Sequence, residues 1–317
     1  MRAKMLVCLV LMVVLAAGAF VPAAAQTKDT IRIAMVNFSL CCPYFIGMSQ
    51  AVEEEAAFYP NIELIITDAN GDAAKLTSDV EDVLAQNPDG IIISGAWLEA
   101  APAALDAIQA AGVPVVLVDR LLKGGDYTSW IGPDNYTIGV QDGAYIVERL
   151  GGEGRLCVLR GGPADNSIGL DRSNGMLSEV EKSNIEVVEA PDYGGWSSDG
   201  GATLMEDLLA KYDKIDAVFC ENDSMCLGAQ QVIADAGRSD EMFLVGVDGE
   251  KAALVKIMEG SNYAATGLNN SDQIGRAAFH RLMAILAGAE SPKNTVLPSP
   301  LITIDNVVRF YNPDSVF

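Results

Sequence analysis

Short, continuously apolar runs alternate with amphipathic stretches from residue 31 to residue 287. Residues 31–38, 62–67, 90–94 and 115–119 are rich in Ile and Val, and the third reads Gly90-Ile91-Ile92-Ile93-Ser94. A strand that is apolar on both faces is one covered on both faces, as in a parallel sheet between helix layers. Residues 44–59, 72–86 and 98–111 repeat apolar positions at three and four, which predicts helices. Pro60-Asn61, Asn87-Pro88-Asp89-Gly90 and Gly112-Val113-Pro114 are the stops and turns between them. The rhythm restarts after Trp130-Ile131-Gly132-Pro133-Asp134. Strands are predicted at 155–160, 185–190, 217–220, 243–247 and 264–268. Helices are predicted at 134–150, 167–182, 200–211, 223–236, 250–259 and 272–287. Two such blocks without a Ser- or Gly-rich linker predict an α/β chain of two doubly wound, Rossmann-like lobes.

The N-terminus departs from this rhythm. Arg2 and Lys4 precede an apolar run from Met5 to Phe20, and Pro22 leads into Ala23-Ala24-Ala25. That order is the pattern of an export signal, here residues 1–25, cleaved before Gln26. Export implies an oxidising compartment. Its removal takes Cys8 away and leaves Cys41, Cys42, Cys157, Cys220 and Cys226, too few for a disulfide-built scaffold. The adjacent pair Cys41-Cys42 is either two buried thiols or, in an oxidising compartment, a vicinal disulfide with a rigid apolar face, while Cys157 and Cys220 fall inside apolar strands and are expected to be inert core. With 43 acidic against 21 basic residues the formal charge is −22. No basic cluster offsets it, so nucleic acid is not an expected partner.

In open α/β sheets ligands sit at the carboxyl ends of the strands. Those ends carry Cys42-Pro43-Tyr44-Phe45, Ser94-Gly95-Ala96-Trp97, Asp119-Arg120, Asn222, Asp248-Gly249 and Asn269, with Trp196 in the loop after 185–190. The set combines aromatic rings, carboxylates, a guanidinium and amides, without a nucleophile–base pair. Such a mixture suits a carbohydrate, whose C–H faces pack on rings and whose hydroxyls both donate and accept. Asp134 and Asp223 are expected as plain helix N-caps, and Trp97 as either cleft or surface packing. His280, inside a helix, is expected to be structural. One histidine, no G-x-S-x-G and no Cys/His metal spacing argue against hydrolase or zinc chemistry. No cofactor is expected.

These residues carry a family resemblance. Lys28-Asp29-Thr30-Ile31, Pro43-Tyr44-Phe45, Val115-Val116-Leu117-Val118-Asp119-Arg120, Gly132-Pro133-Asp134-Asn135, Ala217 to Met225 and Val245-Gly246-Val247-Asp248-Gly249 resemble, in order, the ribose- and galactose-type periplasmic binding proteins. So do Ala264-Ala265-Thr266 and Asp272-Gln273-Ile274-Gly275. The resemblance implies a type I periplasmic binding protein: two lobes, residues 28–133 with 270–298 and residues 134–269 with 299–317, joined by a three-segment hinge. It also implies a periplasmic location, a small neutral sugar or polyol in the cleft, and an ABC transporter permease as partner, with a chemoreceptor as a second one.

Carried over by position, Phe45 and Trp196 would stack on opposite faces of the ring, with Tyr44 at the cleft edge. Asp119 and Arg120 would bind hydroxyls from the first lobe; Asn222, Asp248 and Asn269 would do so from the second lobe and hinge. Cys42 and Ser94 stand where ribose binders have Asn. In Ser167-Ile168-Gly169-Leu170-Asp171-Arg172 the ribose-type pattern has two arginines. Leu170 takes the place of the contacting one, with Asn166 as partial substitute, which puts ribose itself in doubt and points to a deoxy sugar or polyol. Sugar-responsive repressors share this core but begin with a DNA-binding helix pair, where this chain has an export signal. An amino-acid receptor of the same fold would need ammonium and carboxylate clamps, which Asp248 and Arg120 could imitate. On the sequence alone, Asp248→Ala is expected to weaken binding and leave the fold intact.

Overall fold

The computed structural model describes residues 30–40, 42–163 and 167–317. The expected export signal, Asn166 and Cys41, and with Cys41 the vicinal-disulfide alternative, lie outside these residues. The first block forms β1 (Ile31–Asn37), α1 (Pro43–Ala56), β2 (Ile62–Asp68), α2 (Ala73–Ala85), β3 (Gly90–Ser94), α3 (Gly95–Ala100), α4 (Pro102–Ala111), β4 (Val115–Val118) and β5 (Ser129–Gly132). The second forms α5 (Asn135–Leu150), β6 (Glu153–Arg160), α6 (Ser167–Val180), β7 (Asn184–Tyr193), α7 (Ser198–Lys211), β8 (Ala217–Cys220), α8 (Asp223–Asp235), β9 (Phe243–Asp248), α9 (Lys251–Met258) and β10 (Tyr263–Leu268). The chain returns to the first block as α10 (Ser271–Leu286) and β11 (Asn294–Val296), then crosses again to β12 (Leu301–Thr303) and a 3-10 helix, Val307–Arg309.

Each block builds one sheet, ordered β2-β1-β3-β4-β5-β11 and β7-β6-β8-β9-β10-β12. Strand pairing is parallel except where β12 runs antiparallel to β10. The apolar runs account for the two-sided cover. Along β1, Ile33 and Met35 pack with Met48 and Phe279, while Ala34 and Val36 pack on the other face with Leu76 and Leu98. Along β6, Leu156 and Val158 face Met176, whereas Cys157 and Leu159 face Leu204.

Three details differ from the pattern. The helix predicted over 98–111 is broken at Ala101, non-helical at φ −129° and ψ 70°, because Pro102 removes a backbone N–H and disfavours helix before it. The edge strands β11 and β12, and β5 beside β11, are three or four residues long, too short for a period. Cys220, expected as inert core, is joined to Cys226 by a disulfide with Cα atoms 5.4 Å apart, because α8 starts directly after β8 and turns back beside it. Cys157 does remain buried, its thiol pushed up to about 12 by burial.

Helices α5 and α6 meet backbone to backbone. A Cβ on Gly139 would stand 2.0 Å from the carbonyl oxygen of Arg172, and one on Gly175 would stand 2.2 Å from that of Tyr136. Gly139→Ala is therefore expected to push α6 away, at about 1–3 kcal/mol or more. Urea denaturation measures this cost, and an unchanged midpoint would contradict the close approach.

Candidate ligand site

In each sheet the strand order reverses between two neighbours, β1 and β3 in the first lobe, β6 and β8 in the second. Ligand crevices open at the carboxyl ends of such pairs. The backbone there is strained. Besides Asn70 and Asn87, the non-glycine residues with positive φ among the described residues are Asp119 at 59°, Trp196 at 62° and Asp248 at 131°. Asn tolerates this region; Trp and, at 131°, Asp do not, and such conformations persist where surrounding structure fixes them for a function.

The surroundings are visible. Asp119 donates its N–H to Ile131 O, and Trp130 Nε1 donates to Asp119 O. Asp248 is set by its neighbour Asp223, whose Oδ2 accepts the N–H groups of Gly249 and Glu250 at 2.8 Å each. Tyr263 Oη and Thr266 Oγ1 donate to Asp223 Oδ1 at 2.7 and 2.8 Å.

The held side chains form one network across both lobes. Tyr44 Oη, from the start of α1, lies 2.9 Å from Asp119 Oδ1 and 3.1 Å from Asn269 Oδ1, sharing one hydrogen between two acceptors. Asn269, in the crossing from β10 to α10, donates through Nδ2 to Asp248 Oδ1 at 3.2 Å. Arg172 Nη2 donates to the same oxygen at 2.9 Å. Its other nitrogens donate to Asn135 Oδ1 at 2.8 Å and to Glu221 O. Arg120 Nε stands 3.8 Å from Asp119 Oδ2. Each carboxylate thus has a guanidinium beside it, and the pairs are formally neutral.

Burial dominates the electrostatics. It pushes Asp248 up to about 7, against the Arg172 charge, and raises Asp119 against Arg120 and Arg172. Tyr44 is raised well above its ordinary value by burial and by the Asp119 charge. Several polar atoms near the strand ends are buried without a hydrogen-bond partner among the described residues: Asn37 Nδ2, Ser94 Oγ and Arg120 Nε. An unmet buried group of this kind costs about 1–3 kcal/mol.

Aromatic rings flank the polar groups. On the first lobe Phe45 packs on Trp97 at 4.6 Å between centroids and edge-on to Tyr44 at 5.1 Å, and Phe38 lies 6.0 Å behind Trp97. On the second lobe Trp196 covers Gly161, where a Cβ would meet the indole at 2.3 Å. The Arg120 guanidinium of the first lobe lies 5.8 Å from the Trp196 ring centroid. A profile of the family described as a periplasmic binding protein domain matches residues 33–290. The chain belongs to this family.

Its relatives cover almost the whole chain. The ribose import binding protein of Bacillus subtilis is 30% identical over 282 residues, 89% of this chain and 90% of that one. The xylitol-binding protein of Mycolicibacterium smegmatis is 28% identical over 284 residues, 89% of this chain and 80% of that one. An ABC transporter solute-binding protein from Mycobacterium smegmatis, solved with bound glycerol, matches at a TM-score of 0.83 with 30% identity, over 90% of this chain and 98% of that one.

Within this binding protein the expected residues divide. Tyr44, Asp119, Asp248 and Asn269 share the hydrogen-bonded network, with Phe45, Arg120 and Trp196 adjoining it. Trp97 is not surface packing: it is buried and packs on Phe45. Asn222 is occupied otherwise: Oδ1 caps α8 through Met225 N, and Nδ2 donates to Trp196 O. It orients the Trp196 loop, while Asp223, expected as the cap, is the buried anchor of the Asp248 turn. Leu170 is 43% exposed on α6, and it is Arg172, two residues on, that turns inward at 2% exposure. Ser94 is buried at the start of α3, and half-buried Cys42 stands before α1 without capping it. Arg172, with Asn135 and Glu221 bound to it, also belongs to the network, and buried Asn37 closes the neighbouring strand β1 with its Nδ2 unpartnered among the described residues; a polar residue closing an apolar strand is the sequence signal for Asn37.

Proposed function

We propose that the protein is a periplasmic solute-binding protein of an ABC transporter that closes its lobes on a small neutral sugar or polyol and delivers it to the permease. The observation that carries this reading is the unbroken chain Asp119–Tyr44–Asn269–Asp248–Arg172, contributed by both lobes and the crossing between them. A charged ligand would leave a net charge in this balanced set, whereas hydroxyls can join it as donors and acceptors. Phe45 and Trp196 offer apolar faces for ring or chain carbons. The ribose- and xylitol-binding relatives support the same ligand class. Binding favours closure because both half-sites then contact the ligand. Expected residence in the periplasm follows from the export pattern of residues 1–25.

A thermal-shift screen tests the ligand class with pentoses, hexoses, tetritols, pentitols, inositols and charged amino acids. A true ligand at 100 times its Kd stabilises by about 2.7 kcal/mol. A response to an uncharged polyhydroxylated compound is expected. A response confined to amino acids would replace this reading with the amino-acid one.

A further inference from the structure

The segment 304–317 follows β12 on the second lobe but does not end there. Val307 is buried in the core of that lobe, and Phe310 and Tyr311 pack against it. The chain then leaves that core. Lys251, the first residue of α9 and three positions after Asp248, donates its Nζ to Pro313 O and to Ser315 O, the latter at 2.8 Å. Ser315 Oγ donates to Asp272 Oδ2 at 2.9 Å, in the first turn of α10 on the first lobe. Phe317 completes the passage. It belongs to the core cluster of Ile33, Met35 and Phe279, and its ring stands edge-on to Tyr44 with centroids 5.4 Å apart. A Cβ on Gly47, one turn along α1 from Tyr44, would come within 2.9 Å of Phe317 Cβ. Residues 299–317, expected wholly in the second lobe, therefore divide between the two.

We infer that residues 304–317 form a fourth interlobe connection, which seats Phe317 against Tyr44 and so positions the Tyr44 hydroxyl in the cleft. The three other crossings are the short links between β5 and α5, β10 and α10, and β11 and β12. They lie along the hinge, where opening moves atoms least. The fourth joins the turn that carries Asp248 to the helix start that carries Tyr44, so it acts on the binding groups themselves. Tyr44 is the one member of the network on α1, and its ring has an aromatic neighbour on two sides, Phe45 and Phe317. Removing Phe317 leaves the hydroxyl free to swing from between Asp119 and Asn269. Lys251 is the matching anchor on the other lobe; without its two bonds residues 313–315 lose their described polar tie to the second lobe, while the apolar contacts of residues 307–311 and the Asn306 hydrogen bonds to β12 remain. Phe317 acts through Tyr44 and is a positioning residue.

The ligand readout rests on the proposed sugar-binding function, and the scattering readout does not. Calorimetry with the tightest binder among ribose, xylitol and myo-inositol is compared for wild type, Phe317→Ala, Tyr44→Phe and the double variant, with circular dichroism to verify folding. Phe317→Ala is expected to weaken binding about fivefold to tenfold and to add nothing in the Tyr44→Phe background. Unchanged affinity in Phe317→Ala, or effects of the two substitutions that multiply, would overturn the positioning role. Lys251→Met, a substitution outside both cores, tests the tether by small-angle scattering of the ligand-free protein. A wider lobe separation in Lys251→Met and Phe317→Ala supports the fourth connection, and an unchanged envelope in both overturns it. If wild type binds none of the three probes, the sugar reading fails, and the scattering alone decides the tether.

Discussion

Arg172→Met is expected to destabilise the protein by about 3–5 kcal/mol and to abolish ligand binding. The side chain is 2% exposed and donates to Asn135 Oδ1, Glu221 O and Asp248 Oδ1. Met replaces most of its volume, so the loss is electrostatic and not a cavity. Glu221 O and Asn135 Oδ1 would each lose a donor, and Asp248 would lose the positive charge that opposes its burial. Binding suffers beyond stability. Asp248 would then hold its proton more tightly and present a neutral acid where a carboxylate accepts hydroxyls. Urea denaturation and calorimetry on the same variant separate the two effects. A variant with a wild-type midpoint and wild-type affinity would remove Arg172 from the centre of the site. Because Asp248 is this cation's partner, Asp248→Ala leaves a buried unpaired Arg and is expected to cost stability as well, contrary to what the sequence alone suggests.

The second large effect is on pH. Asp248 ordinarily titrates at 3.8 and is pushed up to about 7 by burial. The folded state therefore holds this proton more tightly than the unfolded chain does. Its contribution is fully present below pH 4 and is lost as pH rises through about 7. At 1.36 kcal/mol per unit, the loss is on the order of 4 kcal/mol. Burial also raises Asp119, Asp142, Glu221, Asp223 and Glu250, which adds slope of the same sign. Asp142 is the extreme member, fully buried with neither oxygen bonded to a described residue. Glu241, held at about 2 by its hydrogen bonds from Arg238, works in the opposite sense, but only as pH falls below its ordinary 4.5. Stability is thus expected to be greatest near pH 4–5 and to decline towards pH 8. Asp248→Asn should flatten that decline in urea titrations run at each pH. A wild-type profile that rises from pH 5 to 8 would show that the Arg172 charge outweighs burial.

Much of the layering was legible because parallel strands must be apolar on both faces, and Gly90 to Ser94 or Val115 to Val118 can hardly be anything else. The short edge strands were not, since Asn294–Val296 gains its identity from pairing with β5 and not from its own composition. Strand-end candidates such as Asp119 and Asp248 are named by the fold rule alone, and the structure joins them in one hydrogen-bonded network. Asp223 shows the converse. Its position before a helix suggests a cap, but Tyr263 and Thr266, some 40 residues away, draw it into the core, and Asn222 takes the capping role. Arg172 stands two residues from Leu170 on one helix, and the packing of α6 on α5 at Gly139 together with its three buried acceptors accompanies its inward turn, which the local sequence does not distinguish.

Of the three tryptophans, Trp97 and Trp130 are buried in the first lobe. Trp196 alone belongs to the second, with a guanidinium of the opposite lobe over its ring. Separating the lobes would withdraw that cation from the half-buried indole of Trp196 and leave the two buried indoles of the first lobe in place. A change in native emission on adding ligand is therefore the expected signal of closing jaws, with no added dye.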